Sequence, residues 1–258
     1  MKFLICCLAM FLVNAICLAD TVYPAAGTDE KTGKEYDLYQ GETSEIKVTF
    51  VGHGTLMIEN KNKVIHIDPW GDMGDYSKFP KADIILVTHE HFDHFDAKTI
   101  GLIGTSSSKI VCTPVVAANF ANKEAVTVLS NGEKTILDSV EIEAVPAYNI
   151  QHKRDTEHPF HPKGTGNGYI LTVDGIKIYV AGDTENIPEM ATLKDKNIYI
   201  AFLPMNLPYT MDRDMFVEAA KMVAPRFLYP YHTSGTDPKQ LEGLENDCGC
   251  KVKIRKLE

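Results

Sequence analysis

The sequence predicts a mixed α/β (α+β) fold in which two β-sheets pack face to face under helices. Three observations carry that reading. Apolar residues alternate with period two in short runs between residues 46 and 67, and again between 125 and 181. Each hairpin-rich stretch is followed by segments with helical apolar spacing. The stretches are long enough, in a chain of 258 residues, to supply a sandwich of two sheets covered outside by helices.

Residues 1–19 read as a signal peptide. Lys2 is a short positive start, residues 3–19 are apolar apart from Asn14, and Cys17-Leu18-Ala19 offers small residues before Asp20. The stretch is slightly short for a membrane span and no basic stop-transfer cluster follows. The expectation is therefore an exported protein, periplasmic or secreted, with no stable membrane insertion after cleavage. Residues 20–45 are polar, with Gly27, Gly33 and Gly41, and predict an irregular lead-in to a single domain over residues 46–258.

Within that domain, residues 46–50 alternate as a strand and residues 56–58 continue the pattern. Asn60-Lys61-Asn62-Lys63 forms a turn before a strand at 64–67. Residues 82–88 are apolar and β-branched, a buried strand, and residues 97–103 suit a short helix. A strand at 109–113 precedes a helix over 114–122, opened by Pro114 in the first turn where proline is tolerated. Strands follow at 125–129, 134–137 and 140–147. A polar loop, 149–167, leads to strands 168–173 and 176–181, joined by Asp174-Gly175. Residues 198–203 read as a buried strand. Met215, Phe216, Ala219, Ala220 and Val223 place a helix over 212–223. A strand at 226–231 and a short helix at 239–245 complete the chain.

The formal charge is −9. Residues 1–19 hold one lysine and no acid, so removing them makes the charge one unit more negative. Such a chain gains nothing from approaching a polyanion, which argues against nucleic acid as a partner. A small-molecule substrate is the expected partner, and the residues do not indicate an oligomeric state. Of six cysteines, Cys6, Cys7 and Cys17 fall in the leader. Cys112 sits in an apolar strand. Cys248-Gly249-Cys250 could close a small disulfide, bind a soft metal, or be two ordinary thiols.

The chemistry is concentrated in His89-Glu90-His91-Phe92-Asp93-His94, directly after the 82–88 strand. Imidazole and carboxylate are the ligands of zinc and related divalent metals. In an extended segment residues two apart share a face, so His89 and His91 can grip one metal. Asp93 and His94, past the bend, can face a second. A single histidine here would be read as solvated and Asp93 as a helix cap. Three histidines in six residues after a buried strand favour a metal site.

This stretch resembles the H-x-H-x-D-H signature of the metallo-β-lactamase superfamily, and the resemblance covers most of the chain beyond the leader. Gly52-His53-Gly54-Thr55-Leu56-Met57-Ile58-Glu59 and Val64-Ile65-His66-Ile67-Asp68-Pro69-Trp70 resemble its opening hairpin. Tyr179-Val180-Ala181-Gly182-Asp183-Thr184 resembles the strand delivering a metal-bridging aspartate, and Tyr229-Pro230-Tyr231-His232 the strand delivering the last histidine. Val145-Pro146-Ala147-Tyr148-Asn149 and Thr210-Met211 are similar to segments of the branch containing ascorbate-6-phosphate-lactonase-like and N-acylphosphatidylethanolamine phospholipase D-like proteins.

The resemblance implies a four-layer αββα sandwich of the metallo-β-lactamase type and a binuclear centre, with zinc first and manganese or iron as alternatives. Its metal ligands would be His89, His91, Asp93, His94, Asp183 and His232. The third histidine of the first metal is expected at the end of the 140–147 strand, where this chain has Tyr148-Asn149. His161, in a segment similar to one recurring in the branch, is taken for that role, while His152 and His158 are read as surface histidines. Asn149 would coordinate weakly or hydrogen-bond a metal-bound water. Asp68 is the leading candidate to orient a ligand histidine, with Asp96 behind it. His53 would border the pocket or pack under it. Tyr148, Lys163, Tyr209 and Thr210 are candidate substrate contacts.

The implied reaction is attack by a metal-bridging hydroxide on a phosphodiester or a lactone or ester, with Asp93 orienting the hydroxide. The alternatives are a β-lactam hydrolase, a non-catalytic metal- or ligand-binding protein, and a redox di-iron protein on the same scaffold. The absence of a histidine at Tyr148-Asn149 is the best support for the non-catalytic reading.

Overall fold

The computed structural model describes residues 24–61 and 63–257; the leader predicted over residues 1–19 lies outside them. The first sheet runs in chain order through β1 (Ala25–Thr28), β2 (Glu35–Gln40), β3 (Glu45–Gly52), β4 (Thr55–Asn60), β5 (Lys63–Ile67), β6 (Ile84–Val87), β7 (Lys109–Cys112) and β8 (Val126–Val128). Strands β1 to β5 pair antiparallel and β5 to β8 parallel. The second sheet contains β9 (Lys134–Leu137), β10 (Val140–Ala147), β11 (Gly166–Val173), β12 (Ile176–Val180), β13 (Ile200–Pro204), β14 (Phe227–Tyr231) and β15 (Lys251–Val252). It repeats the plan: β9 to β12 are antiparallel and β12 to β15 parallel.

Period-two burial explains the layering. Ile84 and Leu86 of β6, Ile178 and Val180 of β12, and Ile200 and Phe202 of β13 face one interlayer core. Their neighbours Ile85 and Val87 face outward to α1 (Ala97–Ile103) and α2 (Pro114–Ala117). Tyr179, Ala201 and Leu203 face outward to α3 (Arg213–Val223) and α4 (Leu244–Cys248). Three apolar interfaces thus separate four layers, helix, sheet, sheet, helix. Parallel pairs need crossovers: these helices supply those after β6, β7, β13 and β14, and 3-10 segments those after β5 and β12.

Several boundaries differ from expectation. The lead-in predicted as irregular contains β1 and β2. Its polar look has a physical cause: β1 is an edge strand, mostly exposed, and β2 buries a charged residue, Asp37, beside the core residue Tyr39. Asp37 accepts three hydrogen bonds from Arg255 (2.7 Å at the closest) and one from the Tyr229 hydroxyl. The helix expected over 114–122 ends at Ala117, where the Asn119 amide bonds the Val115 and Val116 carbonyls. That expected over 239–245 is split by Gly243 (φ 70°) into a 3-10 turn, Pro238–Leu241, and α4. A 3-10 segment, Pro188–Lys196, had no clear periodic signal. Asp174-Gly175 makes the predicted tight turn with both φ positive. Cys112, Cys248 and Cys250 are free thiols.

Among the described residues no helix is long and apolar enough to cross a membrane. Arg255→Ala should destabilise the protein by about 3 kcal/mol, because it strips the Asp37 carboxylate of its charged partner in a buried setting. Urea unfolding measures this, and an unchanged midpoint would remove β2 from the cooperative unit.

Candidate metal centre

The site lies where the parallel strands of both sheets end. The turn after β6 brings His89, His91, Asp93 and His94; the turn after β5 brings Asp68; the turn after β12 brings Asp183; and His232 directly follows β14. Asp68 (φ 45°), His53 (φ 52°) and His232 (φ 48°) are left-handed residues. Each costs on the order of 1–3 kcal/mol of backbone strain, so the surrounding packing holds them there. Gly54 and Gly182 permit close approach: a Cβ on Gly54 would lie 2.7 Å from the His94 ring, and one on Gly182 2.8 Å from the Asn167 carbonyl oxygen.

Two donor clusters result, joined by a third group of His89, His94 and Asp183. His89, His91 and His161 form one, and His53, Asp93, His94 and His232 another; within each, one ligand atom per residue lies within 4.8 Å of the others. In the first, His91 Nδ1 stands 3.0 Å from His89 Nε2 and 3.2 Å from His161 Nε2. Asp183 reaches both clusters. Its Oδ2 is 3.3 Å from His161 Nε2 and 3.4 Å from His232 Nε2, and its Oδ1 is 3.4 Å from His94 Nε2.

Outward-facing nitrogens are tied down. Asp68, fully buried, accepts hydrogen bonds from Thr88 N–H (2.8 Å), Thr88 Oγ1–H (2.7 Å) and His94 Nδ1–H (2.8 Å). His89 Nδ1–H donates to Thr88 Oγ1 at 3.0 Å. One carboxylate therefore aims Nε2 of both His89 and His94 inward. Asn149 accepts from His161 Nδ1–H at 2.5 Å, and the Asn206 amide lies 3.3 Å from His232 Nδ1.

Burial and the neighbouring His94 hold His89 well below the usual imidazole range. Burial and His161 lower His91, and burial brings His232 down to about 4. These rings keep their lone pairs at neutral pH. Burial alone would raise Asp93, but the hydrogen bond from His53 (3.1 Å) and nearby His94 bring it to about 2. Asp183 likewise stays well below the carboxylate range, because His232, His94 and His161 outweigh its burial. Burial opposes charge on His94, yet Asp183 and Asp68 raise it to about 10. The field at this point draws in positive charge.

His94 Nε2, Asp183 Oδ1 and His232 Nε2 are buried with no hydrogen-bond partner. Such atoms carry a large desolvation penalty unless something satisfies them. Imidazole nitrogens and a carboxylate converging in this way fit divalent cations.

Other predicted residues lie around the clusters in different ways. His53 rests on His232, ring centroids 3.7 Å apart, and so borders the site. Tyr209 is exposed at the rim, edge-on to Phe160. Thr210 is fully buried and accepts a hydrogen bond from Asn206 N–H, so it braces the segment beside His232. Tyr148 and Lys163 are engaged with each other and with Glu189 rather than with the clusters. Asp96 caps α1 and bonds Gly71 N–H, not a histidine. His158 is an exposed loop residue paired with Asp155, and His152 pairs with Glu185. Sequence reasoning missed Thr88, Asn206, Arg154 and Glu185. Only Thr88, between the strand and His89, had a positional signal. A cavity of about 500 Å³ beneath residues 188–196 includes none of the clustered residues.

A family profile described as a beta-lactamase superfamily domain matches residues 47–232. A UPF0173 metal-dependent hydrolase of Thermococcus kodakarensis is 32% identical over 78% of this chain and 93% of that protein. A crystal structure of a candidate metal-dependent hydrolase from Parabacteroides distasonis is 44% identical, covers 86% of this chain and 99% of its own, and superposes with a TM-score of 0.80. Igni18, a metallo hydrolase of Ignicoccus hospitalis, is 25% identical over 82% of this chain and 95% of its own, with a TM-score of 0.67.

Asp68→Ala should weaken zinc binding by on the order of 10–100-fold, since it frees the tautomer and orientation of His94. Competition against a chelating indicator reads this directly; wild-type affinity in the variant would exclude Asp68 as the orienting group. The profile match, the two sheets with their helical covers and these similarities agree, and the chain belongs to the metallo-β-lactamase superfamily, among its metal-dependent hydrolases.

Proposed function

We propose that this chain is an exported binuclear hydrolase, zinc-dependent in the first instance, that cleaves a phosphodiester or a lactone or other ester. The observation that carries the reading is the convergence of unpartnered buried donors from His94, His232 and Asp183 beside the His89, His91 and His161 triad. His89, His91 and His161 would hold one cation, Asp93, His94 and His232 the other, and Asp183 would bridge them. Two such cations supply Lewis acidity and lower the pKa of a bound water towards neutrality.

The chain's own residues set up the rest. Asp93 is ionised and held through one oxygen by His53, so it can orient a water and take up its proton. Arg154 reaches the mouth, its NH2 2.7 Å from His91 Nε2 rather than on a carboxylate. A guanidinium there suits a substrate that is anionic or develops negative oxygen in the transition state. The best argument for a non-catalytic protein, the missing histidine at Tyr148-Asn149, loses its force because His161 folds back to that point. Export is supported by the apolar residues 3–19 and the small residues before Asp20.

Initial rates on a generic phosphodiester and a simple lactone test the reading with zinc-loaded protein lacking residues 1–19. Turnover of one should vanish with chelator, return with zinc, and fall by on the order of a hundredfold or more in Asp93→Ala. Turnover that ignores chelation, or a zinc-loaded protein inert on both, would overturn it.

A further inference from the structure

We propose that Glu185 is a positioning residue for the first metal triad: it clamps the base of the 149–161 loop and, through Asn149, fixes where His161 points. The inference rests on the reading that His89, His91 and His161 hold a cation. Glu185 is fully buried in the turn that also presents Asp183. Its Oε2 accepts from Ile150 N–H and Gln151 N–H, both at 2.7 Å. Its Oε1 accepts from His152 N–H at 2.6 Å and from the Asn149 amide at 3.1 Å, with His152 Nδ1 at 2.8 Å. Three successive backbone N–H groups around a carboxylate form an anion-binding concavity. That alone anchors a loop.

The contact to Asn149 does more. Asn149 Nδ2 donates to Glu185 and to the Tyr209 carbonyl (2.9 Å), which leaves Oδ1 facing the other way. There Oδ1 accepts from both the backbone N–H (3.1 Å) and Nδ1–H (2.5 Å) of His161, while Asn149 N–H donates to the His161 carbonyl (2.9 Å). With Nδ1 so engaged, His161 Nε2 is directed at His91 and Asp183. A ligand twelve residues downstream of the strand-end position is thus held as though it stood there. Glu185 N–H also donates to the Tyr148 carbonyl (3.0 Å), and Thr184 Oγ1 accepts from Tyr148 N–H (3.1 Å). The turn carrying Asp183 and the loop carrying His161 are therefore registered to each other. Without the clamp, ordering the loop would be charged against cation binding.

Zinc alone, titrated against a chelating indicator, tests this with wild type, Glu185→Gln, Asn149→Ala and the double variant. Glutamine keeps the shape but turns an N–H group towards N–H donors. Each single variant should bind one of two zinc ions on the order of 10–100-fold more weakly and the other within about threefold. The double variant should lose less than the sum of the two single losses, because part of the effect of Glu185 runs through Asn149. Equal weakening of both ions, unchanged affinity, or additive losses would overturn the relay. If Glu185→Gln does not fold, Asn149→Ala, which leaves the carboxylate and its backbone contacts in place, decides the matter by the same one-ion criterion. A wild type that binds no zinc would instead sink the metal-centre reading itself.

Discussion

Asp183 is a fully buried carboxylate with three imidazole nitrogens, from His161, His232 and His94, within 3.4 Å of its oxygens. Taking such a charge out of water is expensive unless positive charge or hydrogen bonds replace the lost hydration. Among the described residues no lysine or arginine does so; the surrounding rings do, and burial holds His89 and His232 below the usual imidazole range. The balance is met by the field that raises His94. A divalent cation answers the same field with fewer unsatisfied lone pairs. The geometry around Asp183 therefore has to be imposed by the scaffold, since the donors left to themselves would turn to water.

The scaffold imposes it through a repeated plan. In each sheet an antiparallel meander passes into parallel strands, and the carboxyl ends of those strands are where an α/β sheet leaves room for a site. The β6 and β5 ends come from one sheet, the β12 and β14 ends from the other. The clusters thus straddle the interlayer core that includes Leu86, Val180 and Tyr231. Backbone strain at Asp68, His53 and His232 is tolerable because that core and the Asp68 network fix both sides. A His53 carbonyl that accepts from His232 N–H, at 3.1 Å, ties the two sheets directly at the site.

Much of this could be read from the chain, and the failures share a cause. The strand before His89, the helix at Ala97–Ile103 and the strand Val140–Ala147 follow from local periodicity, and the structure forms them. The histidine-rich turn stands out because its donors are adjacent in sequence. What failed to show depends on partners far away. Strand β2 looked polar because Asp37 is balanced by Arg255, 218 residues on. Glu185 gave no signal because its partners are mostly backbone N–H groups, which no composition reveals. Asn149 looked like a missing ligand, whereas it holds His161 at the place where the resemblance led one to expect a histidine.

The two clusters differ in what they depend on. Asp93, His94 and His232 come from tight turns at strand ends, with little chain free to move. The first triad takes His161 from a loop whose middle, residues 151 and 153–158, is largely exposed, and whose order rests on the Glu185 and Asn149 contacts. That same loop carries Arg154, packed over the Phe160 ring at 5.9 Å, to the mouth. Whatever orders the loop therefore favours both His161 and the groups that face an incoming substrate. Binding that draws on one shared ordering step is coupled, and the coupling is reciprocal. On the proposed reading, retention of a cation by His89, His91 and His161 and recognition of an anionic substrate would draw on one ordering of this loop, while the second cluster is carried by tight turns at the strand ends.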